Sequence, residues 1–373
     1  MRYVLGIDIG STRIAAAICR RAGQSWAEPQ VVRVFESVLY VAPDETVQVG
    51  LDNLAAGVES SRMARRFLRR IGDEVPIQLG NQLYSPQALT AAAAGWVTDL
   101  VTEVEGVPPE RVALTHPPGW GAYRRGLLRD ALTDAGLPGT LLLPGPIAAA
   151  ESHLVRERVE VGTTMVVCRL GGEHVDLAVL RRNPGTFEVI GHGESPCPQA
   201  GAAIDDLLAE HVGAEDRGSC LRAKEMLSMA PEVTIPVPGD LVRVTRPEFE
   251  RLIRPLLSAC LAPLSRYASV STVLLAGGTA RIPLVAALAA ETLEARVMVD
   301  PDPGTAVCRG AALVARPPVE ALPGSTALVP RVPSLPDHDV DDGFDAEPVP
   351  PRPPVVVTPL EPPKRRFVKG GRS

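Results

Sequence analysis

Three short glycine-bearing segments carry residue types that bind phosphate. The first is Asp8-Ile9-Gly10-Ser11-Thr12, followed by Arg13. An apolar run delivers an aspartate, and the chain then turns at a glycine, which permits positive φ and close backbone approach. Successive backbone N–H groups in such a turn form a nest for anionic oxygens. The hydroxyls of Ser11 and Thr12 can donate to the same oxygens, and Arg13 is assigned to the ligand with them. A carboxylate beside phosphates suits a hydrated magnesium ion, so Asp8 is the candidate metal ligand. The alternative for this segment is an ordinary hairpin with Asp8 in an Asx turn. The second segment, Leu170-Gly171-Gly172-Glu173-His174-Val175-Asp176, occupies the corresponding place in the second half of the chain. Two such turns facing each other would clamp a phosphate chain. In the third, Gly277-Gly278-Thr279-Ala280-Arg281-Ile282-Pro283, paired glycines let a planar ring lie against the backbone. Each glycine pair alone reads as a tight turn; the order and spacing of all three favour a shared ligand.

The elements that must position these turns follow from periodicity. Tyr3 to Ile7 and Ile14 to Cys19 read as strand, tight turn, strand, with a third strand at 31–35. Thr164 to Leu170 and Val175 to Leu180, with 187–191 as a third strand, repeat that unit. A further strand at 112–115 stops at His116-Pro117-Pro118-Gly119, where a turn residue is the default reading of His116. Another at 273–276 enters Gly277-Gly278. Helical patterns fall at 60–71, 87–105, 123–135, 147–155, 202–211, 222–229, 246–264, 283–294 and 305–315. The basic run Arg65 to Arg70 reads as a solvated helix face. At Pro317 the composition changes: residues 317–373 hold fourteen prolines, an acidic cluster from Asp337 to Glu347 and a basic end from Lys364 to Arg372. Such a segment is expected to be a disordered, polyproline-type tail. Its Pro348 to Pro354 stretch suits an aromatic groove on a partner protein, or serves as a spacer.

The 373 residues suffice for about two domains. A net charge of −6 provides no basic field for nucleic acid or anionic lipid, so neither is expected as a partner. The six cysteines, Cys19, Cys168, Cys197, Cys220, Cys260 and Cys308, form no C-x-x-C pair and suggest reduced thiols in a cytoplasmic protein. No signal peptide and no transmembrane run are expected.

These residues resemble the nucleotide-binding domain of the seventy-kilodalton heat-shock chaperones, within the actin-like ATPase superfamily. Gly6 to Thr12 resembles the family's first phosphate loop, and Val166 to Leu180 its second loop and hairpin. Arg222-Ala223-Lys224 with Leu227-Ser228 resembles the adenosine-contacting helix. Thr245 to Glu250 resembles the start of a family helix, Gly277 to Pro283 the adenosine loop, and Pro303 to Ala312 the closing helix. The resemblance implies an α/β, two-lobed actin-like ATPase fold built from ribonuclease H-like repeats. Lobe I would be residues 1–156, lobe II residues 157–316, and residues 317–373 the tail. Each lobe is expected to hold a mixed five-stranded sheet. It implies ATP or ADP as ligand, held by Gly10, Ser11, Thr12, Arg13, Gly171, Gly172, Lys224, Ser228, Gly277, Gly278, Thr279 and Arg281, with Asp8 and Asp176 as the retained catalytic carboxylates.

The departures from the family pattern point to weak or absent hydrolysis. Arg169 stands where the family has a magnesium-side aspartate, His174 where it has a threonine, and Gly145 where it has a glutamate. The family's phosphate-contacting lysine falls near Leu68, with Arg65, Arg66 and Arg69 as possible substitutes. Replacing a carboxylate by a guanidinium changes the local charge by two units. A unit charge pair at 4 Å is worth about 4 kcal/mol at an effective dielectric near 20, so magnesium is disfavoured. Arg169 is then either a built-in cation for the phosphates or a salt-bridge partner of Glu173 or Asp8 that closes an empty cleft. Three functions compete: a nucleotide-binding chaperone-like domain, a nucleotide-free pseudo-ATPase scaffold, and a sugar or acetate-type kinase of the same superfamily. The 277–283 loop and the 222–228 helix favour the first over the third. No segment of these 373 residues is expected to form the family's peptide-gripping β-sandwich.

Overall fold

The computed structural model describes residues 2–50, 59–195 and 200–317. The expected tail therefore lies outside the described residues, apart from Pro317.

Two mixed sheets share one topology. The first contains β1 (Tyr3–Ile9), β2 (Arg13–Ala22), β3 (Gln30–Glu36), β4 (Arg111–His116) and β5 (Leu141–Pro144). Its spatial order is β5-β4-β1-β2-β3, with the two-residue strand Ser25–Trp26 added beside β2. The second contains β6 (Thr164–Leu170), β7 (Val175–Asn183), β8 (Thr186–Glu194), β9 (Thr272–Ala276) and β10 (Arg296–Val299), in the order β10-β9-β6-β7-β8. In each, an antiparallel β-meander is extended on its first strand by two parallel strands. The repeat legible in the glycine turns is thus a repeat of whole sheets.

Eight helices complete the described fold: α1 (Pro86–Glu105), α2 (Ala122–Asp134), α3 (Gly145–Leu154), α4 (Ala200–Val212), α5 (Arg217–Leu227), α6 (Arg246–Leu261), α7 (Pro283–Thr292) and α8 (Ala306–Ala315). Their ends follow local chemistry. Ser85 caps α1 and Asp216 caps α5, and Thr245 with Glu248 forms a capping box on α6. One core lies between α1, α2 and the first sheet. A second packs α4 to α7 against the second sheet. A third runs between the sheets and is built around α3 and α8. There α8 returns to β1 and β2, while α3 lies against the second sheet. Small residues make this possible. A Cβ on Gly310 would overlap the Ala148 carbonyl, and one on Gly6 would overlap the α8 backbone at Cys308 and Ala312. Shape therefore selects glycine at both positions.

One expected element is corrected. Residues 60–71 are not a helix. They form a 3-10 turn at Ser60–Arg62, a strand at Met63–Arg65 and a second 3-10 turn at Leu68–Arg70. Arg66 sits between them at φ 58°, which no helix accommodates. Alternating burial of Ala64, with Phe67 and Ile71 in the core, satisfies the apolar residues without helical periodicity. The antiparallel hairpin Glu232–Val237/Asp240–Thr245 and strand β5 are further elements that sequence patterning did not reveal.

Candidate functional site

The parallel strands of both sheets end at one cleft of about 800 Å³. Ligand sites of α/β sheets lie outside the carboxyl ends of strands in this way. The cleft brings together every residue that the sequence assigned to a ligand: the turn after β1, the turn after β6, the turn after β9, and Lys224 and Ser228 at the end of α5.

The first two turns are the same structure. Gly10 N–H donates to the Arg13 carbonyl at 2.8 Å, and Gly171 N–H donates to the His174 carbonyl at 2.8 Å. They also touch. Ser11 Oγ and His174 Nδ1 are 2.9 Å apart, and the Thr12 side chain occupies the space a Cβ on Gly172 would need. The first turns of α4 brace the second loop, with Gly201 and Ala202 N–H donating to the Gly171 and Gly172 carbonyls at 3.3 and 2.7 Å. Gly277 adopts φ 89°, where a Cβ would collide with the Leu170 carbonyl. Gly278 faces open space, so a flat group can approach its backbone. Thr279 Oγ1 donates to the Gly171 carbonyl at 3.0 Å and ties the third turn to the second. Arg281 pairs with Asp302.

Lys224 is buried and already engaged. Its ammonium donates to the Gly201 carbonyl at 2.9 Å and lies 2.8 Å from Asp205. Burial raises the Asp205 pKa although Lys224 opposes the shift. Ser228 Oγ donates to the Lys224 carbonyl at 3.0 Å. The third ammonium N–H of Lys224 and the lone pairs of the Ser228 hydroxyl remain for a ligand.

Arginines from the first half cross the cleft to acids of the second. Arg66 Nε donates to Glu173 at 2.7 Å. Arg69 donates to both oxygens of Asp176, at 2.6 and 2.8 Å, and to Glu194 at 2.6 Å. Arg13 reaches Glu225 at 2.8 Å. Sequence reasoning placed Arg66 and Arg69 on a solvated face and missed these straps. The available signal was charge complementarity between the basic run 65–70 and the acids at 173, 176 and 194. Burial lowers the His174 pKa, with Arg69 reinforcing the shift. Burial likewise lowers that of His116. His116 stacks on Trp120, and its Nε2 has no hydrogen-bond partner among the described residues.

A magnesium ion does not fit this donor set. Asp8 accepts a hydrogen bond from Thr115 and lies 3.8 Å from the Arg169 guanidinium, while Asp176 is held by Arg69. Each carboxylate thus faces a cation of the chain itself, Asp176 closely and Asp8 at longer range. Of the two partners considered for Arg169, the structure selects Asp8.

Two duplicated sheets around an interlobe cleft, with matching turns facing each other, make this an actin-like ATPase fold. Comparison with known proteins agrees. Residues 217–317 match the family model described as Hsp70 protein. The chain is 28% identical to the Chaperone protein HscA of Klebsiella pneumoniae subsp. pneumoniae, over 88% of this chain and 60% of the relative. It is 26% identical to Chaperone protein HscA of Escherichia coli over the same shares. The chain thus spans about 60% of the length of the curated relatives it matches. It is similar in sequence to Hsp70-type chaperones across the residues that form this duplicated-sheet fold. Among the described residues no helix is long and apolar enough to cross a membrane.

Proposed function

We propose that the cleft binds an adenine nucleotide, ATP or ADP, and turns it over slowly or not at all. The observation that carries this reading is the convergence of the Gly10, Gly171 and Gly277 turns on a single cavity. The first two turns offer backbone N–H groups and hydroxyls to phosphates, and the open face at Gly278 suits the adenosine. Phosphoryl transfer relies on positioned polar groups and metal charge. Here Asp176 is held by Arg69 and Asp8 lies beside the Arg169 guanidinium, an arrangement that disfavours orientation of an attacking water. Seating phosphates between the first two turns requires separation of Ser11 from His174. Nucleotide occupancy would thereby set the angle between the sheets, which a partner protein could read.

A second reading is favoured by the cross-cleft ion pairs, which join the two sides of the cleft through the chain's own residues. In that reading the chain is a nucleotide-free scaffold. A thermal-shift panel of ATP, ADP and adenosine, each with and without magnesium, separates the two. Stabilisation by ATP and ADP supports nucleotide binding, because a ligand selective for the native state raises the melting temperature. No shift with any of the three supports the scaffold.

A further inference from the structure

The internal repeat lets the two halves be compared position by position. With Gly10 matched to Gly171 through their equivalent hydrogen bonds, Asp8 and Arg169 fall at the same place, two residues before the turn glycine. One copy of the position carries a carboxylate and the other a guanidinium, and they meet 3.8 Å apart across the cleft.

Arg169 differs from Arg66, Arg69 and Lys224, which line the same cleft. Each of those three has a carboxylate oxygen within 2.8 Å. Arg169 has only the long contact to Asp8, whose Oδ1 already accepts a hydrogen bond from Thr115. Its Nε is buried without a partner among the described residues. Its seat is made by a missing side chain: a Cβ on Gly145 would overlap Nη1 and lie 2.7 Å from Cζ. Gly145 does not have a left-handed φ, so at this first residue of α3 glycine supplies room rather than conformational freedom. The guanidinium is therefore packed closely on Gly145, largely shielded from solvent and short of acceptors among the described residues. Its forked donors match the oxygens of a phosphate group, and it lies beside two turns whose N–H groups suit the same anion.

We propose that Arg169, seated on Gly145, is the phosphate receptor of the cleft and binds a polyphosphate directly, without a divalent cation. The proposal rests on the nucleotide reading above for the identity of the ligand. A nucleoside triphosphate and free inorganic triphosphate present the same chemistry, and the test distinguishes them. Isothermal titration of the full chain with ATP, adenosine and inorganic triphosphate, in EDTA and in excess magnesium, would be run on the native protein and on Arg169→Ala, Arg169→Lys and Gly145→Ala. The native protein should bind ATP as well in EDTA as in magnesium. Arg169→Ala should weaken ATP and triphosphate by roughly ten- to a hundredfold, the range for losing a charge-assisted hydrogen bond, and leave adenosine unchanged. Gly145→Ala should reproduce much of that loss by unseating an intact arginine. Arg169→Lys should retain an intermediate affinity, which a purely structural role would not produce. Adenosine titration checks that each variant is folded. Native-like ATP affinity in Arg169→Ala overturns the proposal, as does ATP binding abolished by EDTA in the native protein. If the native protein binds triphosphate through Arg169 but neither ATP nor adenosine, the receptor stands and the nucleotide reading falls. If it binds neither ATP nor triphosphate, the receptor falls too.

Discussion

Replacing Arg69 by methionine tests whether the cross-cleft straps hold the two halves together. Arg69 sends Nη2 to both oxygens of Asp176, at 2.6 and 2.8 Å, and Nη1 to Glu194 at 2.6 Å. The Asp176 side chain is 5% exposed and that of Arg69 20%, whereas Glu194 is 68% exposed. Methionine keeps the apolar stem but strands the buried Asp176 carboxylate. Breaking a buried pair by removing one partner costs ~3–5 kcal/mol. Part of the guanidinium reaches solvent, which favours the lower end of that range. The Glu194 contact is surface-like and adds at most ~1 kcal/mol. Arg69→Met should therefore lower stability by about 3 kcal/mol, read as a shift in urea midpoint at constant slope. Asp176→Asn should remove most of that penalty when combined with Arg69→Met, because the stranded charge is gone. A loss below ~1 kcal/mol in the single variant, a value typical of an exposed pair, would refute the reasoning. So would strict additivity of the two substitutions.

Further expectations follow from packing and titration. Gly310→Ala should destabilise by ~1–3 kcal/mol or prevent folding, because its Cβ would overlap the Ala148 carbonyl where α8 crosses α3. Gly95→Ala in α1, where a Cβ meets nothing within 4 Å, should instead stabilise by about 1 kcal/mol; thermal melts of the two variants give opposite signs. Burial holds the pKa values of His116, His153 and His174 below the ordinary histidine value. The unfolded chain then takes up protons first as pH falls. Their contribution to stability is complete above the unfolded value of about 6.5 and declines as pH drops below it. Urea midpoints should fall from about pH 7 toward pH 5.5, less steeply in His174→Asn; a flat profile over that window would contradict the assignment.

How far the sequence revealed this molecule depends on whether local chemistry or tertiary contact set each feature. The turns at Gly10, Gly171 and Gly277 were legible because strand, glycine and hydroxyl residues encode them over a few positions. Helices such as α1 and α6 were legible because periodicity agrees with a cap at Ser85 or Thr245. The 60–71 segment misled because its charges and apolar residues also suit a helix, and only the neighbouring strand Val38–Val41 recruits Met63–Arg65 into a sheet. The return of α8 to the first sheet and the seat of Arg169 on Gly145 depend on residues far apart in the chain, joined by space that a side chain would fill. Neither leaves a local signature. The straps from Arg66 and Arg69 were hidden for the same reason: their acceptors lie more than one hundred residues away.

In the proposed function, three separate turns grip one nucleotide. Hydrogen exchange of backbone amides, measured with and without saturating ADP, tests it most directly. Slowed exchange in all three segments, 10–13, 171–174 and 277–281, is the predicted result. Unchanged exchange in these segments at a concentration where ADP is shown to bind would contradict the claim, because the nucleotide would then lie elsewhere.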